Sequence, residues 1–357
     1  MNIRFLIALL ALFSLSTVSA AQQADRTIFD GLSFSAEALE VSIETDLASL
    51  IDNRKTEDYQ KAVFSFENAS GTLEVHEIKV KPRGKFRRSV CDFPPVKLNF
   101  SKDRLLSSGY IAEYDKLKLV THCLDDKFVS KENVAKEYLA YRLYNELTPK
   151  SYRAQLVKIT YIDTKNRISR IKRYGFILED TDEMAHRAGG KECEECLNVP
   201  KEGLSLADEN RMAVFQYMIG NADYSTPMMR NVKMVTPYIG SGVIPVPYDF
   251  DFSGLVAPSY ALPNSDYGLV SVKQRVFLGE KVDAAILAGT LEEFRNKRAA
   301  MQAIVNGFKL LSRQGREEVL QYLDTFYEEA EAILSSSPVQ HELRAQAVKD
   351  SVQNSLR

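Results

Sequence analysis

One stretch, residues 219–255, constrains this chain more than any other. Two short apolar runs, residues 232–235 and 243–246, flank a Gly240-Ser241-Gly242 turn, which is the pattern of a β-hairpin. Asn221, Asp223 and Asn231 precede or open that hairpin, and Asp249 and Asp251 close it. A hairpin brings its two ends together, so these oxygen-bearing side chains are expected to converge on one small volume. Clustered carboxylates repel unless something positive sits among them, and hard oxygens suit Mg²⁺ held together with phosphates. Asp and Asn also cap turns, which is their commonest use. The apolar neighbours Tyr248, Phe250 and Phe252 imply partial burial of the acids, and that favours the ligand reading.

The chain opens with Met-Asn-Ile-Arg, an apolar run over residues 5–15 and Val18-Ser19-Ala20. One positive charge, a short apolar core and small residues before the cut are the parts of a secretory signal. The run is shorter than the ~18–20 residues a membrane span needs, and no later segment qualifies. Residues 1–20 are therefore expected to be removed, giving an exported protein, periplasmic or extracellular, without a transmembrane segment. Loss of Arg4 takes the formal charge from −2 to −3, which argues against a general nucleic-acid binder. Tryptophan is absent, but 18 Phe and 17 Tyr permit a sizeable core.

The four cysteines, Cys91, Cys123, Cys193 and Cys196, fit two bridges in an oxidising compartment. The favoured pairing is Cys91 with Cys123 and Cys193 with Cys196, because the first two lie beside strand-like runs that can be neighbours. The Cys193-Glu-Glu-Cys196 motif is also half of a zinc site or a redox pair. No second such motif completes the former, and no βαβ pattern surrounds the latter.

Taken in order, residues 21–31 read as polar and extended. Alternation marks strands over residues 39–45, 61–67, 72–81, 96–100, 116–123, 154–163 and 170–178. A short helix capped by Thr45 or Asp46 follows the first strand. Residues 132–147 read as a helix whose apolar residues (Val134, Leu139, Tyr141, Tyr144, Leu147) form no single stripe, as expected of burial on more than one side, with Glu137 in the middle as a partner for a strand lysine. Between strands lies the basic run Lys79-Val-Lys-Pro-Arg83-Gly84-Lys-Phe-Arg-Arg88, with Lys97 and then Lys118 on the following strands. Such a turn is either a solvated charge run or a phosphate cover with Arg83 and Lys97 pointing at the anion. An acidic helical passage spans residues 179–187, where the boundary between two halves is placed at about residue 180. Residues 188–203 read as an irregular loop. Residues 207–219 form an amphipathic helix running into the acidic hairpin, and residues 257–267 a loop long enough to cover a site. Residues 291–311, 315–334 and 341–352 are helical. The fold class is therefore α+β, with a strand-rich part over residues 21–180 and a helical part over residues 181–357.

In this order, Arg83-Gly84, Pro94-Pro-Val-Lys-Leu98, Leu117-Lys-Leu-Val120 with Asp125, the Glu137 helix, Gly220-Asn-Ala-Asp-Tyr224 with Asn231, and Tyr248-Asp-Phe-Asp251 resemble the bacterial spore-coat CotH-type kinase family. The resemblance covers about residues 39–311. It implies a two-lobed, protein-kinase-like fold and a phosphotransferase that moves phosphate from ATP with Mg²⁺ or Mn²⁺ to an unknown acceptor, to be sought among envelope or surface proteins. Carried over residue by residue, Asp223 becomes the acid that orients or deprotonates the acceptor hydroxyl. Asn231, Asp249 and Asp251 become metal ligands. A strand lysine, Lys118 first and Lys97 second, contacts phosphate and pairs with Glu137. Arg83 lies in the turn that covers the nucleotide. Eight positions separate Asp223 from Asn231, against about five in standard kinases. His-Arg-Asp, Asp-Phe-Gly and Gly-x-Gly-x-x-Gly do not occur. A second reading, from another class, is a non-catalytic exported protein that keeps the kinase-like shell to bind a partner.

Overall fold

The computed structural model describes residues 25–334 except 34, 36 and 57. The expected signal (residues 1–20) and the helix over residues 341–352 lie outside the described residues.

The strands are β1 (Leu39–Thr45), β2 (Gln60–Glu67), β3 (Leu73–Pro82), β4 (Val96–Phe100), β5 (Lys116–Val120), β6 (Ala154–Asp163), β7 (Ile171–Leu178), β8 (Gly190–Glu192), β9 (Val232–Pro237) and β10 (Ile244–Pro247). The helices are α1 (Ile28–Leu32), α2 (Leu47–Asp52), α3 (Arg87–Val90), α4 (Lys102–Ser107), α5 (Lys127–Leu147), α6 (Thr181–Arg187), α7 (Leu206–Met218), α8 (Ala284–Gly307) and α9 (Arg313–Leu334). The fold is mixed α+β.

The first seven strands form a closed barrel in the order β1-β2-β3-β4-β5-β7-β6. Most neighbours are antiparallel, but β1 closes the barrel by pairing parallel with β6, from Leu39 opposite Val157 to Thr45 opposite Asp163. Alternation in each strand predicts an apolar face without saying what it faces. Here Val41, Phe64, Val80, Leu98, Leu117, Ile159 and Ile177 turn into one buried interior. The expectation of an extended residue 21–31 segment is corrected by α1. Thr27 and Asp30 form a reciprocal capping box, and Ile28, Phe29 and Leu32 join the barrel interior. The signal was in the sequence, since Thr27 stands three residues before an acid at the head of an apolar run.

The outer face of β5, β6 and β7 carries Val120, Leu156, Phe176 and Leu178 into a second core. There α5 lies against the barrel on one side and against α8 on the other. Buried on several sides, α5 has the ragged apolar pattern expected of it, with Asp126 accepting from the amides of Phe128 and Val129 at its start. The hairpin over residues 232–247 forms as β9 and β10, with Val232 opposite Pro247. The irregular reading of residues 188–203 is corrected in part, because β8 adds to the edge of that hairpin. A three-residue strand is too short to carry a period and exists only through its partner.

The sulfurs of Cys91 and Cys123 lie 2.17 Å apart, and those of Cys193 and Cys196 lie 2.04 Å apart. These are the two pairs favoured from the sequence. Among the described residues, no helix is long and apolar enough to cross a membrane.

Candidate active site

The site lies where the turn after β3, the outer wall of β3–β5, the middle of α5 and the two ends of the β9–β10 hairpin meet. Gly220 opens the first of those ends. It has φ of +64°, and a Cβ there would stand 2.0 Å from the Tyr322 hydroxyl, so glycine alone fits the turn out of α7. Asn221, buried, donates to Gln216 Oε1 (3.0 Å) and accepts from the Asp223 amide (3.0 Å). It is thus a turn-shaping residue that aims Asp223 outward. Asn231 Nδ2 donates to the Asp223 carbonyl (2.6 Å) and to Asp223 Oδ2 (3.0 Å). The Arg230 guanidinium stands 3.6 Å from Asp223 Oδ1. Burial, with Asp251 and Asp249 nearby and Arg230 opposing, pushes the Asp223 carboxyl up to about 6.

The second end holds Asp249 and Asp251. Asp249 and Asn231 both adopt left-handed backbone, with φ of +63° and +53°. Asp and Asn tolerate that region better than other residues with a Cβ, and such outliers persist only where the surroundings fix them. The Asp249 amide donates to Tyr141 Oη from α5 (2.8 Å). One oxygen each of Glu137, Asp249 and Asp251 lie within 4.8 Å of one another. Glu137 and Asp251 are both buried, and burial pushes both carboxyls up against the pull of Arg87.

Arg87 is the residue that sequence reasoning missed. It is 6% exposed, donates from Nε to Asp251 Oδ2 (2.6 Å) and from Nη2 to Glu137 Oε2 (2.7 Å), and approaches Asp249 Oδ1 at 3.8 Å. The expected pairing of Glu137 with Lys118 or Lys97 is therefore corrected. The basic run containing Arg87 was noticed, but a charge run has no periodicity that separates its one buried member from its solvated neighbours. Arg88, next in the chain, binds the Gly84, Lys55 and Thr56 carbonyls instead.

Lys118 instead donates to Tyr152 Oη (3.0 Å) and Thr181 Oγ1 (2.6 Å), over the faces of Tyr152 and Tyr248. Burial, then the charges of Arg83 and Lys233, lowers its ammonium to about 7. Lys97 lies between Lys81 and Lys118 in the sheet register, so three lysines stand side by side across β3, β4 and β5. Burial, then Lys116 and Lys81, also lowers Lys97. Directly opposed like charges on neighbouring strands are destabilising. The Arg83 charge acts on Lys118, on Tyr248 and on Tyr141, whose hydroxyl accepts from the Asp249 amide. Of the sequence candidates, Glu137, Asp249 and Asp251 come together, Asp223 and Asn231 form an adjoining pair, and Lys97, Lys118 and Arg83 form the basic wall. The four cysteines lie in disulfides outside this cluster.

No family model and no curated protein matches the chain. Among solved structures it is similar to the Helicobacter pylori proinflammatory kinase CtkA, with a TM-score of 0.40, 12% identity, and coverage of 68% of this chain and 93% of that one. It is also similar to the Golgi casein kinase with Mn/ADP bound, with a TM-score of 0.34, 9% identity, and coverage of 82% and 77% respectively. A second structure of the Golgi casein kinase gives 0.32. These neighbours are kinases. At such scores the likeness decides nothing about activity, which has to be argued from the site.

Proposed function

We propose that this chain is an exported, CotH-like phosphotransferase with a two-lobed, protein-kinase-like plan, taking ATP and Mg²⁺ or Mn²⁺ and passing phosphate to an acceptor of the cell envelope or surface. The observation that carries the reading is Lys97 opposite Lys118 across β4 and β5, with the Lys118 ammonium over the ring of Tyr248, the residue next to Asp249 of the carboxylate group. A wall of like charges beside a cluster of the opposite kind is costly in each half. A bound polyphosphate relieves the first, and a divalent cation relieves the second.

The donor set suits a hard cation, being all oxygen, and the buried Glu137 Oε1 has no hydrogen-bond partner among the described residues. Asp249 and Asp251, with Asn231 and that Glu137 oxygen, would hold the ion. When bound, it supplies charge neutralisation to the phosphates. Lys118, Lys97 and Arg83 grip the phosphate oxygens and exclude competing cations. Asp223, the most open of the acids and held in place by Asn221 and Asn231, accepts the acceptor hydroxyl's proton. The new O–P bond forms as the bond to the departing diphosphate breaks.

The direct test is transfer from radiolabelled γ-phosphate ATP to envelope proteins by the purified chain, with melting temperature measured with and without Mn²⁺ and ATP. Metal-dependent transfer lost in Asp249→Asn and Asp251→Asn is the expected result. A wild type whose melting shifts with neither ligand, beside Asn variants that melt like it, leaves only the non-catalytic shell.

A further inference from the structure

The acidic group contains its own cation, and that bears on how many metal ions it can take. Arg87 reaches Asp251 through Nε and Glu137 through Nη2, with Asp249 next nearest. Each contact uses one carboxylate oxygen and leaves the other. On Glu137, 3% exposed, the remaining Oε1 is buried and unpartnered among the described residues. Even with every carboxylate ionised, three negative charges against one positive leave −2. A single divalent ion balances that, whereas two would leave an excess of +2 in a poorly solvated place, since in the reading above the charge of the phosphates is met by Arg83, Lys97 and Lys118.

We propose that Arg87 stands where a second divalent ion would otherwise be required, so that the site takes one metal ion, seated on the oxygens that Arg87 leaves free. This rests on the metal–phosphate reading above and adds to it a stoichiometry and a positioning residue. The chain holds Arg87 there deliberately. The Cys91 amide donates to the Arg87 carbonyl (2.9 Å), closing the single turn of α3. Cys91 is bridged to Cys123, four residues before α5 begins, and α5 carries Glu137. The guanidinium and one of its two close carboxylate partners are thus carried on segments joined by a covalent link. Guanidinium suits the role because it stays charged and its planar fork reaches two carboxylates at once, which a lysine ammonium does with less geometric control. Phe86 beside it packs edge-on to Phe252 at 5.1 Å, steadying the same turn against the Asp251 segment.

The test counts Mn²⁺ on the full mature chain by electron paramagnetic resonance, with Mn²⁺ alone and with Mn²⁺ plus ADP. Wild type is expected to hold one ion per chain in both. Arg87→Gln is expected to bind a second ion, or to bind the first at least tenfold more tightly, and to gain a larger melting-temperature rise from Mn²⁺ than wild type. Arg87→Lys, which keeps the charge, is expected to stay at one ion. A merely structural arginine predicts the reverse, with Arg87→Gln losing Mn²⁺ binding. Two ions on wild type overturn the inference and leave the metal–phosphate reading intact; no ion on either wild type or Arg87→Gln removes that reading and this one with it. Should Arg87→Gln not fold, the wild-type count and Arg87→Lys decide.

Discussion

Replacing Lys118 with methionine asks whether the basic wall is held in a destabilised state until an anion arrives. In the folded chain two hydroxyls and two ring faces surround its ammonium, and Arg83 and Lys233 add repulsion. The resulting fall from 10.5 to about 7 corresponds, at ~1.4 kcal/mol for each tenfold change, to an upper bound of about 5 kcal/mol against the charged form. The side chain is only partly shielded from water, and screening reduces this to about 2–3 kcal/mol. Against it stands the loss of the hydrogen bonds to Tyr152 and Thr181, about 1 kcal/mol net because those hydroxyls still bond each other. The sign follows from which state holds the proton. Below the folded value both states are charged and the penalty is complete. Between about 7 and 10.5 the unfolded chain binds a proton that the folded chain lacks, so wild-type stability rises with pH. Lys118→Met should therefore be more stable than wild type by about 1–2 kcal/mol at about pH 6 and slightly less stable at about pH 10. Urea unfolding of both proteins at the two pH values measures the difference, from which groups common to both cancel. A difference that does not change with pH would refute the argument.

The remaining expectations follow from the same geometry. Binding of an ATP analogue at about pH 8 should recharge Lys118 and take up close to one proton, read by calorimetry in two buffers of different ionisation heat; equal heats exclude it. Asp223→Asn should lower transfer by ~100-fold or more while keeping the Mn²⁺–ATP melting shift, and wild-type turnover should fall as pH drops below about 6, where the base becomes protonated. Replacing Cys91 and Cys123 together by alanine should cost about 3–4 kcal/mol in denaturant unfolding, for a bridge spanning 32 positions, and should tighten Mn²⁺ binding or admit a second ion by loosening Arg87.

Much of this molecule was legible along the chain. The strand periods over β1 to β7, the long α5 and the β9–β10 hairpin are local patterns, and each is visible wherever a face must be buried. The disulfide pairs were legible because Cys91 and Cys123 sit beside strands that a meander makes neighbours. The convergence of Asp249 and Asp251 with a third acid was only half legible, because the hairpin places the two aspartates at one end while Glu137 comes from a distant helix. What the tertiary structure decided were the matters that depend on distant segments. Closure of the barrel rests on parallel pairing between β1 and β6, more than a hundred residues apart, which alternation within either strand does not encode. The edge strand β8 exists only through β9. The partner of Glu137 was open to every cation in the basic wall. Lys118 is taken up by Tyr152 and Thr181, and the short turn of α3 delivers Arg87 among the three carboxylates. Sequence spacing reports which residues can share a face; which opposite charges meet is settled by packing, because desolvation makes an unpaired buried charge too costly to keep.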